Sequence, residues 1–110
     1  MLADDIAAFV AHRHSATFVA LAAELPEHFA DGTLDLTLEG ENPSIVLWTT
    51  CSAEGIAAVR QAFKADRIGF AACSPLLYLG EGMRSFPLPM AEHAEHTERR
   101  WWPALIVAIT

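Results

Sequence analysis

The sequence predicts an α+β fold, a two-layer α/β sandwich with two main helices packed on one face of a mixed four- or five-stranded sheet. Three observations carry this reading. Two stretches, residues 2–24 and 52–65, place apolar residues at the 3.6-residue period of a helix. Short runs at 33–39, 44–50, 68–73 and 104–110 either alternate with period two or are continuously apolar, as strands are. Turn signals at Asp31-Gly32, Gly40–Pro43 and Pro75 punctuate them. The chain of 110 residues reads as one domain, residues 1–110, with 53% apolar residues to fill a single core.

In order along the chain, Leu2, Ile6, Phe9, Val10, Phe18, Leu21 and Leu25 share one side of a helical wheel. Arg13, His14 and Thr17 project onto the same side, which points to a break near His14-Ser15 and a second helix capped by Ser15 or Thr17. Pro26 ends the segment. In Thr33–Glu39, Leu34, Leu36 and Leu38 alternate with Asp35, Thr37 and Glu39, the pattern of a strand with one wet face. Ser44–Thr50 is nearly continuous and β-branched, which suits a more central strand paired with the first in a hairpin. Ile56, Val59 and Phe63 form the stripe of a helix over Ser52–Ala65. Ile68–Cys73 follows as a third strand. Strand, helix and strand together predict a right-handed βαβ unit, with the second and third strands parallel neighbours. Leu76–Leu79 reads as a short further strand. Ala104–Thr110 reads as a strand buried on both faces.

Between these last two lies a long excursion, Gly82 to Pro103. It holds three of the six prolines, three of the seven basic residues and two of the three tryptophans, so it is a segment with a use. Two helices cannot cover both faces of such a sheet. The other face is therefore covered by the excursion or by a second copy of the chain, and a homodimer is expected.

The net charge of −7 disfavours nucleic acid, which needs a basic field, and an anionic membrane surface. No window reaches the ~18 uninterrupted apolar residues of a membrane-spanning helix. The start, Met1-Leu-Ala-Asp-Asp, is acidic, unlike a signal peptide. Two cysteines fit a reducing cytoplasm better than a disulfide scaffold.

Chemistry has three candidate places. Cys51 and Cys73 each end a strand. In a βαβ unit both thiols would lie at the carboxyl edge of the sheet, with Cys51 near a helix N-terminus that favours the thiolate. Cys51 is thus a candidate nucleophile, and His14 a candidate base, although free Cys is ordinarily a small buried hydrophobe. His93 and His96, at i and i+3 with Glu92 and Glu95 before them, form a candidate metal pair if the segment is helical. Arg99-Arg100-Trp101-Trp102 is the most recognition-like tetrad, because Arg and Trp combine area with directional donors. Arg84, following Gly80 and Gly82, and Phe86 extend that surface. No serine lies in a nucleophile elbow, and no cofactor fingerprint occurs, so no cofactor is expected. The sequence is read as a non-catalytic protein-interaction or small-ligand-binding module acting as a homodimer. A thiol enzyme using Cys51 and a metal-binding protein using His93 and His96 are the alternatives.

Overall fold

The computed structural model describes residues 1–37, 42–93 and 95–109. The described residues form, in order, α1 (Leu2–Arg13), β1 (Ser15–Ala16), α2 (Phe18–Glu24), α3 (Pro26–Phe29), β2 (Leu34–Thr37), β3 (Ile45–Cys51), α4 (Ala53–Lys64), β4 (Ile68–Ala72), α5 (Pro75–Gly80), β5 (Arg100–Trp101) and β6 (Ala104–Ala108). The fold is α+β. Its strands divide into two three-stranded sheets, ordered β1-β6-β4 and β2-β3-β5.

The first helical stretch breaks where the sequence marks it. His14 takes φ 69°, Thr17 caps α2, and its hydroxyl accepts the Ala20 N–H at 3.1 Å. The break takes His14 off the apolar side of the wheel and leaves it exposed. Thr17, by contrast, is buried, and its hydroxyl also donates to Glu81. Asp4 and Asp5 in the first turn of α1, and His12 and Arg13 in its last, complement the helix dipole.

β3 is the central strand of its sheet, as its continuous apolar character implies. It pairs antiparallel with β2 and parallel with β5. The β2–β3 register shifts twice, and Thr50 takes φ 58°. These irregularities separate Leu34 from Leu36: Leu36 is buried, whereas Leu34 is 46% exposed. Leu38 and Glu39, expected to continue the strand, and Gly40-Glu41 of the expected turn lie outside the described residues.

The βαβ expectation is corrected. β4 does not neighbour β3; it runs antiparallel to β6, from Ile68↔Ala108 to Ala72↔Ala104. β6 takes the place beside β4 because its five apolar residues match β4 rung for rung, while the edge of β3 is taken by β5. Leu76–Leu79 is also corrected, from strand to helix. Ser74 caps α5 with its hydroxyl accepting the Leu76 N–H, and Pro75 opens the helix with a fixed φ.

α1 packs along α4 and against β6 and β1, and α3 lies between α4 and β3. The core joins the sheets through aromatic rings. Phe18 stacks near Trp48 at 5.9 Å, Trp48 meets Phe86 at 5.7 Å, and Phe86 stacks on Trp101 at 4.3 Å. Tyr78 closes the group edge-on to Trp101 at 5.1 Å. Gly32 passes so close to β3 that its N–H bonds the Thr50 carbonyl at 3.1 Å.

Candidate functional site

The excursion is structural first. Met83, Phe86 and Leu88 pack on the core, and Trp101 is buried within it. The backbone N–H of Trp101 donates to Pro89 O at 2.8 Å and its backbone carbonyl accepts the Ala91 N–H at 2.7 Å, so the excursion lies as an extra rung beside β5. Arg99 is engaged as a bidentate partner of Asp35, with both bonds at 2.8 Å, and Thr49 steadies the same carboxylate. This exposed pair ties β5 to the β2–β3 hairpin and contributes about 1 kcal/mol or less. Arg100 donates to Met90 O at 3.4 Å and lies 3.9 Å from Glu98. Trp102 is half-buried, and its backbone N–H donates to Val46 O. Arg84 is exposed, and Phe86 belongs to the aromatic core. Sequence reasoning singled out these residue types for recognition; packing uses most of them to cover the β2-β3-β5 sheet.

His93 and His96 do come together, with rings stacked at 3.9 Å, but not on a helical turn. His93 Nδ1 accepts the Glu95 N–H at 3.1 Å, and His96 Nε2 accepts the Glu92 N–H at 3.0 Å. Each ring thus spends one lone pair on backbone. Loss of hydration, then the neighbouring His93 and Arg100, lower the pKa of His96. Among the described residues, no group of three or more His, Cys, Asp or Glu side chains is placed to hold a metal ion.

Cys51 is fully buried, with its thiol 3.6 Å from Thr49 O. Burial, then the charge of Asp35, push its pKa from 9.0 up to about 12, opposite to the depression a helix N-terminus was expected to cause. Cys73 is partly exposed, and its pKa too is raised by burial. The thiols end strands of different sheets, so no shared sheet edge unites them. At about pH 8 the folded protein is expected to offer Cys73 alone to a thiol reagent, and Cys51 only after denaturation. Rapid labelling of both in the folded state would contradict this. Because the folded pKa of Cys51 lies above the unfolded value, its contribution to stability is complete below about pH 9. It is lost as pH rises toward 12, about 2 kcal/mol of it by pH 10.5.

One pair not singled out from sequence is His28 with Ser52, Nδ1 to Oγ 2.8 Å. Ser52 Oγ caps α4 by accepting the Gly55 N–H at 2.9 Å. Glu27 stands 4.0 Å from His28 Nε2. Gly55 permits this closeness, since a Cβ there would lie 2.8 Å from His28 O. The pair locks α3 onto α4.

Among the described residues, the outer face of the β1-β6-β4 sheet contributes nothing to the hydrophobic core. Ala104 and Ile106 point inward and are fully buried. By alternation Leu105, Val107 and Ile109 point the other way, with Gly69 and Ala71 of β4 and Ser15 of β1. Built on Gly69, a Cβ would lie 3.4 Å from the Ile109 side chain and 3.5 Å from Val107, which places these on one surface. Leu105 and Val107 are half-buried and Ile109 is 48% exposed, and none packs on the core. These six residues carry no charge.

Comparison with known protein families, curated proteins and solved structures finds no match. The site is therefore read from its own chemistry. Its clue in the sequence was the run Ala-Leu-Ile-Val-Ala-Ile: a strand apolar on both sides asks for cover on both sides, and the fold supplies it on one.

Proposed function

We propose that this chain is a non-catalytic association module that works as a homodimer in a reducing cytoplasm. The observation that carries the reading is the uncharged outer face of Ser15, Gly69, Ala71, Leu105, Val107 and Ile109. A flat apolar face without charge offers no pattern by which a charged partner would be chosen. A second copy, turned about a two-fold axis, meets it with the same apolar surface. This moves the contact from the excursion, where sequence reasoning put it, to β4 and β6. Two free cysteines, one of them partly exposed, are in keeping with a reducing compartment.

The size of the face sets the strength. Two five-residue strands and the two-residue β1, about 4.8 Å apart, make a patch no more than roughly 15 Å on a side. That is below the ~800 Å² per partner of a standard interface, so a dimer dissociating in the micromolar range is expected. Light scattering coupled to size exclusion, run from ~5 to ~500 µM, is expected to show mass rising from monomer to dimer. Val107→Lys is expected to hold the protein monomeric throughout while costing about 1 kcal/mol or less in stability, since the side chain is half-buried on the outer face. A wild-type chain that stays monomeric at ~500 µM, or a Val107→Lys variant that dimerises equally well, overturns the reading.

A further inference from the structure

Residues 91–99 run from the rung at Met90 to the start of β5 and share no residue with the outer face of β4 and β6. Three bonds pin the described part of this loop. Asn42 Nδ2 donates to His96 O, the Glu92 N–H donates to His96 Nε2 at 3.0 Å, and the Glu95 N–H donates to His93 Nδ1 at 3.1 Å. With no third ligand beside the two rings among the described residues, the chemistry left to them is that of protons. We infer that the loop is a pH-operated catch, closed while His93 and His96 are neutral and released as they take up protons.

The hydrogen bonds dictate the tautomers. A neutral imidazole has one N–H and one acceptor nitrogen. His93 Nδ1 and His96 Nε2 accept, so the ring protons sit on His93 Nε2 and His96 Nδ1. The place left on each ring for a second proton is the nitrogen that already holds a backbone N–H. Protonation there turns the acceptor into a donor facing another donor, so the bond breaks as the ring charges. The rings also stack at 3.9 Å and 14°, and two imidazolium ions in that position repel.

The surrounding charges set the pH of release. Loss of hydration, then His93 and Arg100, lower the pKa of His96 from 6.5, against Glu92 and Glu98, which raise it. Because the closed form binds the proton less well than the open one, closure is complete above about pH 6.5 and is lost as pH falls through the lower value. Glu95 belongs to the same loop, and Glu39 and Glu41, just before Asn42, lie outside the described residues. A carboxylate near the rings moves the pH of release, but no field restores a lone pair to a protonated nitrogen. Since Asn42 holds His96 O, release also loosens the loop from the turn that leads into β3. His93 is exposed and His96 half-buried, so the core is expected to stay folded.

Amide spectra of the intact protein, taken from about pH 8 to about pH 5, test the catch. The Glu92 and Glu95 amide signals should move with the midpoints of the His96 and His93 ring signals. Their hydrogen exchange, corrected for the intrinsic rate, should quicken by at least about tenfold over that range. The double variant His93→Asn/His96→Gln offers amide oxygens in place of Nδ1 and Nε2, and these do not titrate. It should remove the pH dependence of both amides. Glu41→Gln should shift the midpoint at most. The inference is overturned if the two amides do not follow the rings, if their corrected exchange is unchanged at about pH 5, or if the double variant titrates like the wild type.

Discussion

Tyr78→Phe is expected to destabilise the protein by about 2–4 kcal/mol, although it removes a single oxygen. Tyr78 is fully buried. Its hydroxyl donates to Ala104 O at 2.7 Å and accepts the Phe18 N–H at 3.2 Å. One side chain of α5 thereby holds the first residue of α2 and the first residue of β6. Phenylalanine keeps the ring contacts with Trp48 and Trp101 but strands a buried donor and a buried acceptor, each costing about 1–3 kcal/mol. Urea denaturation checks this: the midpoint should fall with an unchanged slope. A loss below about 0.5 kcal/mol would mean that water reaches both groups. Tyr78 also bears on alkaline stability. Burial raises its pKa above the ordinary 10.0. The folded pKa exceeds the unfolded one, so the stability it adds is whole below about pH 10 and is lost as pH climbs toward the folded value. Tyr78→Phe should therefore flatten the alkaline limb of the stability curve even as it lowers the plateau.

Gly32→Ala is expected to be the most damaging methyl group that can be added. A Cβ at Gly32 would lie 2.1 Å from Cys51 O and 2.6 Å from Ser52 N. Both are backbone atoms, held by the Gly32 N–H bond to Thr50 O and by the Ser52 N–H bond to His28 O at 2.8 Å. Neither can swing aside as a side-chain tip would. Relief requires separating the chain before β2 from the end of β3, at a cost above about 3 kcal/mol, which leaves little net stability in a domain of this size. Gly80→Ala is the control. It ends α5 with nothing within 4 Å of the added atom, and alanine there should be neutral or stabilising by up to about 1 kcal/mol. Equal losses for the two variants in thermal unfolding would show that backbone freedom, and not the close approach, sets the cost at Gly32.

How much of this was legible depended on whether local chemistry or distant packing decided each feature. α4 was legible because Ile56 and Val59 recur on one face and Ser52 supplies the cap. β3 was legible as a central strand because Val46, Leu47 and Trp48 are apolar in succession, and all three are buried. α5 was misread because four apolar residues have no discriminating period; the informative residues were Ser74 and Pro75 just before them. Strand pairing was not legible at all. Nothing local in Ile68–Ala72 distinguishes β3 from β6 as a neighbour; the choice is made only in the tertiary structure, where β5 occupies the edge of β3. The recognition tetrad misled for a related reason, since Trp101 fills its own core. The outer face was half-visible. The composition of β6 announced surplus apolar surface, but a strand with no polar residues cannot say which side stays open.

The segment from Arg100 to Ala108 finishes both sheets. It supplies the parallel third strand beside β3 and, three residues later, the central strand that joins β1 to β4. Before it docks, β1 and β4 have no partner and the parallel edge of β3 is empty. The earlier residues can form helices and the β2–β3 hairpin, but they cannot close either sheet. Folding is therefore expected to be a single late event that waits on long loops. It should be slow for a chain of this length, in the millisecond-to-second range, with no half-folded state in which one sheet stands without the other. One short stretch of backbone acts as the shared keystone, and both halves of the molecule gain or lose their order with it.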